Sequence, residues 1–166
     1  MIQYKKVAFH TFGCKLNFSE TSTISRLFED AGMAKVGLDA HPDIFVVNTC
    51  SVTENADKRC KQLVRRVKRN NPGCYVVIVG CFAQLKPKEI GEMEGVDMVL
   101  GANEKFNIIQ HIEKIETKPG EPTYISFDHI KKTNEFVPSY SIGDRTRSFL
   151  KIQDGCDYHC SFCTIP

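Results

Sequence analysis

At 166 residues, with 42% hydrophobic and 25% charged side chains, the chain has the make-up of an ordinary globular protein and the length of about one domain. No apolar run approaches the ~18 residues that cross a bilayer, and the opening Met1-Ile-Gln-Tyr-Lys-Lys6 lacks the apolar stretch of an export signal, so export is not indicated and a cytoplasmic location is expected. Eight cysteines in such a chain speak for metal or redox chemistry, not for disulfide stapling.

Residues 7–11 read as a short apolar strand that runs out at Phe12-Gly13-Cys14. Residues 17–31 follow as a helix, with Ile24, Leu27 and Phe28 at helical spacing and Gly32 as its stop. Residues 43–48 form a continuous apolar strand through Ile44, Phe45, Val46 and Val47, ending at Thr49-Cys50. A helix over 51–70 opens on Ser51 and Glu54, which fit a capping box, and closes at Asn71-Pro72-Gly73. Residues 75–79 are another all-apolar strand, ending at Gly80-Cys81. A short helix over 87–93, a strand over 97–100 and a helix over 103–115 complete the alternation. Residues 117–142 read as a connection, marked by Lys118-Pro-Gly-Glu-Pro122 and Val137-Pro138, with a short extended piece at 124–127. Residues 147–153 are predicted as the strand that opens a second unit. Strand–helix alternation with unbroken apolar strands argues a mainly parallel sheet covered on both faces, an α/β three-layer sandwich over residues 1–116.

Parallel sheets bind ligands beyond the carboxyl ends of their strands. Cys14, Cys50 and Cys81 each fall just past such an end, 36 and 31 residues apart, about one strand-helix-strand repeat each. Three thiols on one rim can converge without being close in sequence, which makes them a candidate three-thiolate site. Against this stands the common lone cysteine that serves only as a small apolar residue. Cys60 and Cys74 fail the positional test. Cys60 shares a helix face with Ala56, Leu63, Val64 and Val67, and Cys74 begins its strand at the rim opposite Cys81. Both are read as packing residues.

The final stretch, Cys156-Asp-Tyr-His-Cys160-Ser-Phe-Cys163-Thr-Ile-Pro166, supplies three more thiolates at spacing C-x3-C-x2-C. A cubane 4Fe–4S cluster usually takes cysteine thiolates, so three of them leave one iron open to a small molecule. Zinc sites usually show two separated C-x2-C arms, and no second arm is present; a disulfide does not suit a chain without an export signal. With an aromatic residue before its last cysteine, the motif resembles the signature of the radical S-adenosylmethionine (SAM) enzymes. The resemblance implies that the open iron chelates the amino and carboxylate groups of SAM, and that a cluster electron cleaves SAM to a 5′-deoxyadenosyl radical. It also implies a partial or full α/β barrel, of roughly 200 residues or more. Since only three residues follow Cys163, residues 143–166 are expected to be the truncated start of that barrel, and the sequence to be the N-terminal part of a longer enzyme.

The strings Thr11-Phe-Gly-Cys14-Lys-Leu-Asn17, Asn48-Thr-Cys50-Ser-Val-Thr53, Val79-Gly-Cys81 and Phe149-Leu-Lys-Ile-Gln-Asp-Gly-Cys156 resemble the methylthiotransferases of the radical SAM superfamily. The likeness runs through nearly the whole chain. It implies an N-terminal methylthiotransferase (UPF0004-type) domain over 1–116, a central barrel and a nucleic-acid-binding module. It further implies two 4Fe–4S clusters, one on Cys14, Cys50 and Cys81, the other on Cys156, Cys160 and Cys163. By the same resemblance the second cluster cleaves SAM, and the radical takes a hydrogen from an unactivated C–H. The first cluster presents sulfur, whose methyl group comes from a second SAM. One water-poor cavity for both supplies proximity and suppresses side reactions. Phe162 is implied to lie near the SAM adenine, with ordinary packing as the other reading of it, and a flavodoxin or ferredoxin to serve as electron donor.

Three subgroups differ in substrate. Two act on adenosine beside the anticodon of tRNA, carrying an isopentenyl or a threonylcarbamoyl group; the third acts on an aspartate of a ribosomal protein. The stretch from Asn48-Thr-Cys50 through Asp57-Lys58-Arg59, and Gly13-Cys14-Lys15-Leu16-Asn17, most resemble the threonylcarbamoyl subgroup, since the isopentenyl subgroup typically has Arg where Thr53 stands. The implied reaction is methylthiolation at C2 of threonylcarbamoyladenosine. Charge adds a second pointer. The net charge is +2, yet residues 51–70 hold seven basic side chains (Lys58, Arg59, Lys61, Arg65, Arg66, Lys68, Arg69) against Glu54 and Asp57. Clustered Lys and Arg neutralise phosphates, although a solvated amphipathic helix would carry the same charges. A metal-binding interaction domain is the non-enzyme alternative.

Overall fold

Two strands that are apolar over most of their length, β3 (Ile44–Thr49) and β4 (Tyr75–Gly80), are buried at every position. In the computed structural model, which describes residues 5–50, 54–114, 123–127, 136–141, 147–156 and 158–161, they form the middle of a six-stranded, all-parallel sheet. The other strands are β1 (Lys6–Thr11), β2 (Ala34–Lys35), β5 (Met98–Leu100) and β6 (Tyr124–Ser126), and the order is β2-β1-β3-β4-β5-β6. Continuous apolar strands are what a sheet needs when both faces are covered. Successive side chains point to opposite faces, so each strand feeds two cores. Phe45, Val47, Val76 and Ile78 pack with Cys60, Val64 and Val67 of helix α2 (Glu54–Asn70). Ile44, Val46, Val77 and Val79 pack with Ile24 and Phe28 of α1 (Lys15–Asp30) and with Ile108 and Ile112 of α5 (Ile108–Lys114). The result is the three-layer α/β sandwich expected.

Several elements differ from expectation for local reasons. β2 is only two residues long and exposed, too short to leave a pattern. A helix, α3 (Cys81–Leu85), starts directly at Gly80 and is followed by α4 (Pro87–Gly91); no polar cap announces it. The helix expected over 103–115 begins as a 3-10 turn, Glu104–Asn107. The extended piece foreseen inside the connection is β6, a full member of the sheet, paired in parallel with β5 from Met98↔Tyr124 to Leu100↔Ser126. The strand foreseen over 147–153 is reduced to one antiparallel bridge, Tyr140↔Leu150. A lone two-stranded pairing is marginal, and Leu150 and Ile152 remain 66% and 82% exposed.

Candidate metal centre

Cys14 caps the start of α1, Cys50 directly follows β3, and Cys81 is the first residue of α3. β1, β3 and β4 are neighbours, so at roughly 4.8 Å per strand the three exits span only about 10 Å of one rim. The strand order reverses at β1: the chain leaves it for β2 on one side and resumes with β3 on the other. At such a switch point the flanking helices depart to opposite faces and leave a crevice. Cys14 and Cys50 stand at its two lips.

Two Gly-Cys pairs turn the chain out of the sheet in the same way. Gly13 and Gly80 both hold φ +101, a conformation that side-chain-bearing residues rarely adopt. A Cβ on Gly13 would fall 2.5 Å from Cβ of Cys50 and 2.9 Å from its Sγ. The backbone before Cys14 therefore rests against Cys50. A Cβ on Gly80 would meet Asn48 Oδ1 at 2.3 Å and the carbonyl oxygen of Thr49 at 2.4 Å, so the turn into Cys81 presses on the residues that precede Cys50.

Beneath the thiols lies a buried polar lattice that sequence reading did not single out. Asn17 Nδ2 donates to the carbonyls of Phe12 (2.9 Å) and Thr49 (3.0 Å), tying the exits of β1 and β3. Asn48 Nδ2 donates to the carbonyl of Asn17 (3.0 Å) and to Thr21 Oγ1 (3.2 Å). Thr49 Oγ1 donates to the carbonyl of Val79 (2.7 Å), tying β3 to β4. Asn48 Oδ1 is buried without a hydrogen-bond partner among the described residues. The available signal was Asn48-Thr49 closing a strand of four apolar residues: most polar groups at a buried strand end find a partner.

All three thiols are free; Cys14 and Cys81 are exposed and Cys50 is buried. The Cys81 thiol is pushed up, first by loss of water around it, while Lys105 draws it down and Glu20, Cys50 and Cys14 raise it. No three His, Cys, Asp or Glu side chains among the described residues close around a point that would hold a single metal ion. A cubane offers a separate iron to each thiolate, so its ligands stand wider apart than those of one ion. Three free thiols on adjacent strand exits fit that donor set.

Of the second motif, Cys156 is half-buried and Cys160 exposed, both free; Cys163 and Phe162 lie outside the described residues. The segment leading to it is fastened to α1. Arg26 stacks on Tyr140 (3.9 Å) and donates to its carbonyl (2.8 Å), and Phe18 meets Phe149 edge-on at 6.2 Å. Lys151 is buried against Glu20 (2.9 Å) and also bonds Asp154. Burial works against the Lys151 ammonium, but Asp154 and Glu20 outweigh it and push its pKa up.

On α2, Lys58, Arg59, Lys61, Arg65, Arg66 and Arg69 are exposed. Lys68 is a correction to the basic face read from the sequence: its Nζ sits 2.6 Å from Asp97 Oδ2 and 2.7 Å from the carbonyl of Cys74, at the opposite rim. A lysine four carbons long can snorkel along the helix to reach a buried carboxylate. Arg59 lies over the Phe12 ring at 5.6 Å, beside the crevice. Cys60 and Cys74 are buried as expected, and burial, opposed by Lys68, pushes the Cys74 thiol up to about 12.

Fold and site define an α/β domain that presents a thiol triad at the switch point of a parallel sheet. The family model described as "Uncharacterized protein family UPF0004" matches residues 6–101, and the chain belongs to that family. It is 39% identical over 164 residues to a threonylcarbamoyladenosine tRNA methylthiotransferase of Bacillus subtilis, covering 96% of this chain and 36% of the relative. A Thermotoga maritima protein of the same name is 36% identical over 97% of the chain, and again 36% of the relative. A tRNA-2-methylthio-N(6)-dimethylallyladenosine synthase of Chloroherpeton thalassium is 32% identical over 99% of the chain and 37% of the relative. The chain thus spans little more than a third of the length of these relatives. Among the described residues, no helix is long and apolar enough to cross a membrane.

Proposed function

We propose that the complete protein is a radical SAM methylthiotransferase that modifies threonylcarbamoyladenosine beside the anticodon of tRNA. The observation that carries the reading is the triad of free thiols on three adjacent strand exits, in a chain whose remaining motif is C-x3-C-x2-C. Cys14, Cys50 and Cys81 would hold one 4Fe–4S cluster, and Cys156, Cys160 and Cys163 the other. When bound, the clusters and SAM supply reductive cleavage to a hydrogen-abstracting radical and a sulfur atom that receives a methyl group. The chain's own part is to fix the donors. Gly13 and Gly80 turn two of them out of the sheet, and Asn17 and Thr49 lock the three exits together. The N-terminus of α1 at Cys14 favours a negatively charged group there. Phe162 would contact the adenine of SAM, and flavodoxin or ferredoxin would supply electrons. Exposed Lys58, Arg59, Lys61, Arg65, Arg66 and Arg69 would meet tRNA phosphates, tempered by Glu89, Glu92 and Glu94, which line the same groove as Lys61 and Arg65.

The substrate assignment rests on the names of the relatives at 39% and 36% identity and on Thr53 of the sequence. It is tested by mass spectrometry of tRNA nucleosides from a deletion strain. Loss of methylthiolated threonylcarbamoyladenosine alone is the expected result. Loss of the isopentenyl form, or an unmodified ribosomal-protein aspartate with tRNA unchanged, would replace it. Iron and sulfide analysis after anaerobic reconstitution separates clusters from zinc.

A further inference from the structure

Glu20 lies on α1, three residues beyond Asn17, and is 2% exposed. Its Oε2 pairs with Lys105 Nζ at 2.8 Å and its Oε1 with Lys151 Nζ at 2.9 Å. Lys105 and Lys151 are themselves 5% and 3% exposed, and both ammonium groups lie over the ring of Phe106, at 5.2 and 5.6 Å. Burying three charged side chains costs several kcal/mol per ion unless pairing is close. A hydrophobic packing could have joined these segments with less penalty, so the arrangement asks for another reason.

Each partner leads to a different set of thiols. Lys105 belongs to the turn whose Ala102 N–H donates to Gln84 Oε1 (2.7 Å) on α3, the helix that begins at Cys81. Lys151 stands on the segment that runs into Cys156, and Asp154 beside that cysteine holds the same ammonium. α1 itself starts at Cys14 and is tied by Asn17 to the carbonyl of Thr49, next to Cys50. We propose that Glu20 is a positioning residue that sets the separation between the two cysteine triads, one carboxylate oxygen gripping each side. The inference rests on the proposed two-cluster reading. A carboxylate is suited to the task because its two oxygens are a fixed distance apart and each accepts a charge-assisted bond. A reaction that moves a radical from one centre to a sulfur held at the other loses rate steeply with small misplacements.

The test uses the full-length protein with Glu20→Asp, which keeps the charge but is one carbon too short to reach both lysines, and Glu20→Gln. Hydrogen exchange is read first, on metal-free protein. Both variants should speed exchange at least tenfold at the amides of Ser141, Phe149 and Lys151, which donate to the Phe149 carbonyl, to Ser141 Oγ and to the Ser139 carbonyl, while β3 and β4 keep wild-type protection. On the reconstituted enzyme, iron content and 5′-deoxyadenosine formation should stay within about twofold of wild type. Methylthiolated product per 5′-deoxyadenosine should fall at least tenfold. Wild-type exchange and product ratio in both variants would overturn the proposal. So would a Glu20→Gln protein that fails to fold while Glu20→Asp behaves as wild type, since that marks a purely structural charge. If the wild-type protein makes no 5′-deoxyadenosine, the functional reading falls, and the exchange measurement still decides whether Glu20 holds the segment.

Discussion

Replacing Gly80 by alanine should be among the most damaging small changes in the domain, and its cost can be worked from the structure. Gly80 holds φ +101 and ψ −166, a region populated almost only by glycine, where a side chain costs about 1–3 kcal/mol. The added Cβ would lie 2.3 Å from Asn48 Oδ1, 2.4 Å from the Thr49 carbonyl oxygen and 2.8 Å from the Thr49 nitrogen. Two of these neighbours are backbone in the central strand and cannot swing away. Overpacking of this kind adds about 1–3 kcal/mol. The sum, about 2–6 kcal/mol, is a large part of the 5–15 kcal/mol typical of a whole domain. Gly32 is the matched control: it holds φ +84 but has nothing within 4 Å of its virtual Cβ, so Gly32→Ala should cost only about 1–2 kcal/mol. Guanidinium unfolding of both variants measures the difference, as a shift of midpoint at constant slope. Because Cys81 follows directly, Gly80→Ala should also bind less iron on reconstitution. Equal stability of the two variants together with wild-type iron in Gly80→Ala would refute the argument.

Cys14→Ala, Cys50→Ala and Cys81→Ala should each remove about one cluster's worth of iron while leaving reductive SAM cleavage measurable, whereas Cys156→Ala should abolish that cleavage. Cys60→Ala should change neither, because it leaves only a small cavity; loss of product with wild-type iron in this variant would refute the division of the cysteines. Lys68→Met should lower stability by about 3–5 kcal/mol, since it strips a buried carboxylate of its cation, without the loss of tRNA affinity expected of Arg65→Ala; gel-shift and unfolding assays separate the two. The Cys74 thiol, at about 12 in the folded chain against 9.0 free, favours folding below pH 9. That contribution should fade between about pH 9 and 12 at no more than ~1.4 kcal/mol per pH unit, a slope that Cys74→Ala would abolish. His10 is held low first by burial and then by Arg59; Arg59→Ala should raise its pKa in an NMR titration.

The sheet was legible because its central strands are apolar over most of their length and alternate with helical patterns, as a doubly covered parallel sheet requires. The thiol rim was legible from the same pattern, since strand ends fix which residues share an edge. What the sequence concealed is what depends on tertiary partners. β6 looks like part of a linker, because its pairing with β5 joins residues with little local signal. Glu20, Lys105 and Lys151 look like three unrelated surface charges; their sequence separations say nothing of one shared carboxylate. Lys68 looks like its neighbours on a basic helix until Asp97 is seen beneath it. Asn17 and Asn48 carry no periodicity, and only the hydrogen-bonding demand of buried strand ends shows why they are there.

The pairing of β6 along β5 bears on where the molecule can be cut. Thr123 Oγ1, just before the strand, lies 2.9 Å from the Gly91 carbonyl and 2.8 Å from that of Val96 and shares its one proton between them, and Tyr124 OH meets His111 Nδ1 at 3.3 Å, so this strand is riveted to two helices and a loop. A fragment ended after Glu116, the boundary that the sequence pattern alone recommends, would bare the fully buried Met98-Val99-Leu100. An apolar strand with unpaired backbone groups is a template for pairing with other chains. Fragments for biophysical work should therefore run through Phe127, and shorter ones should self-associate.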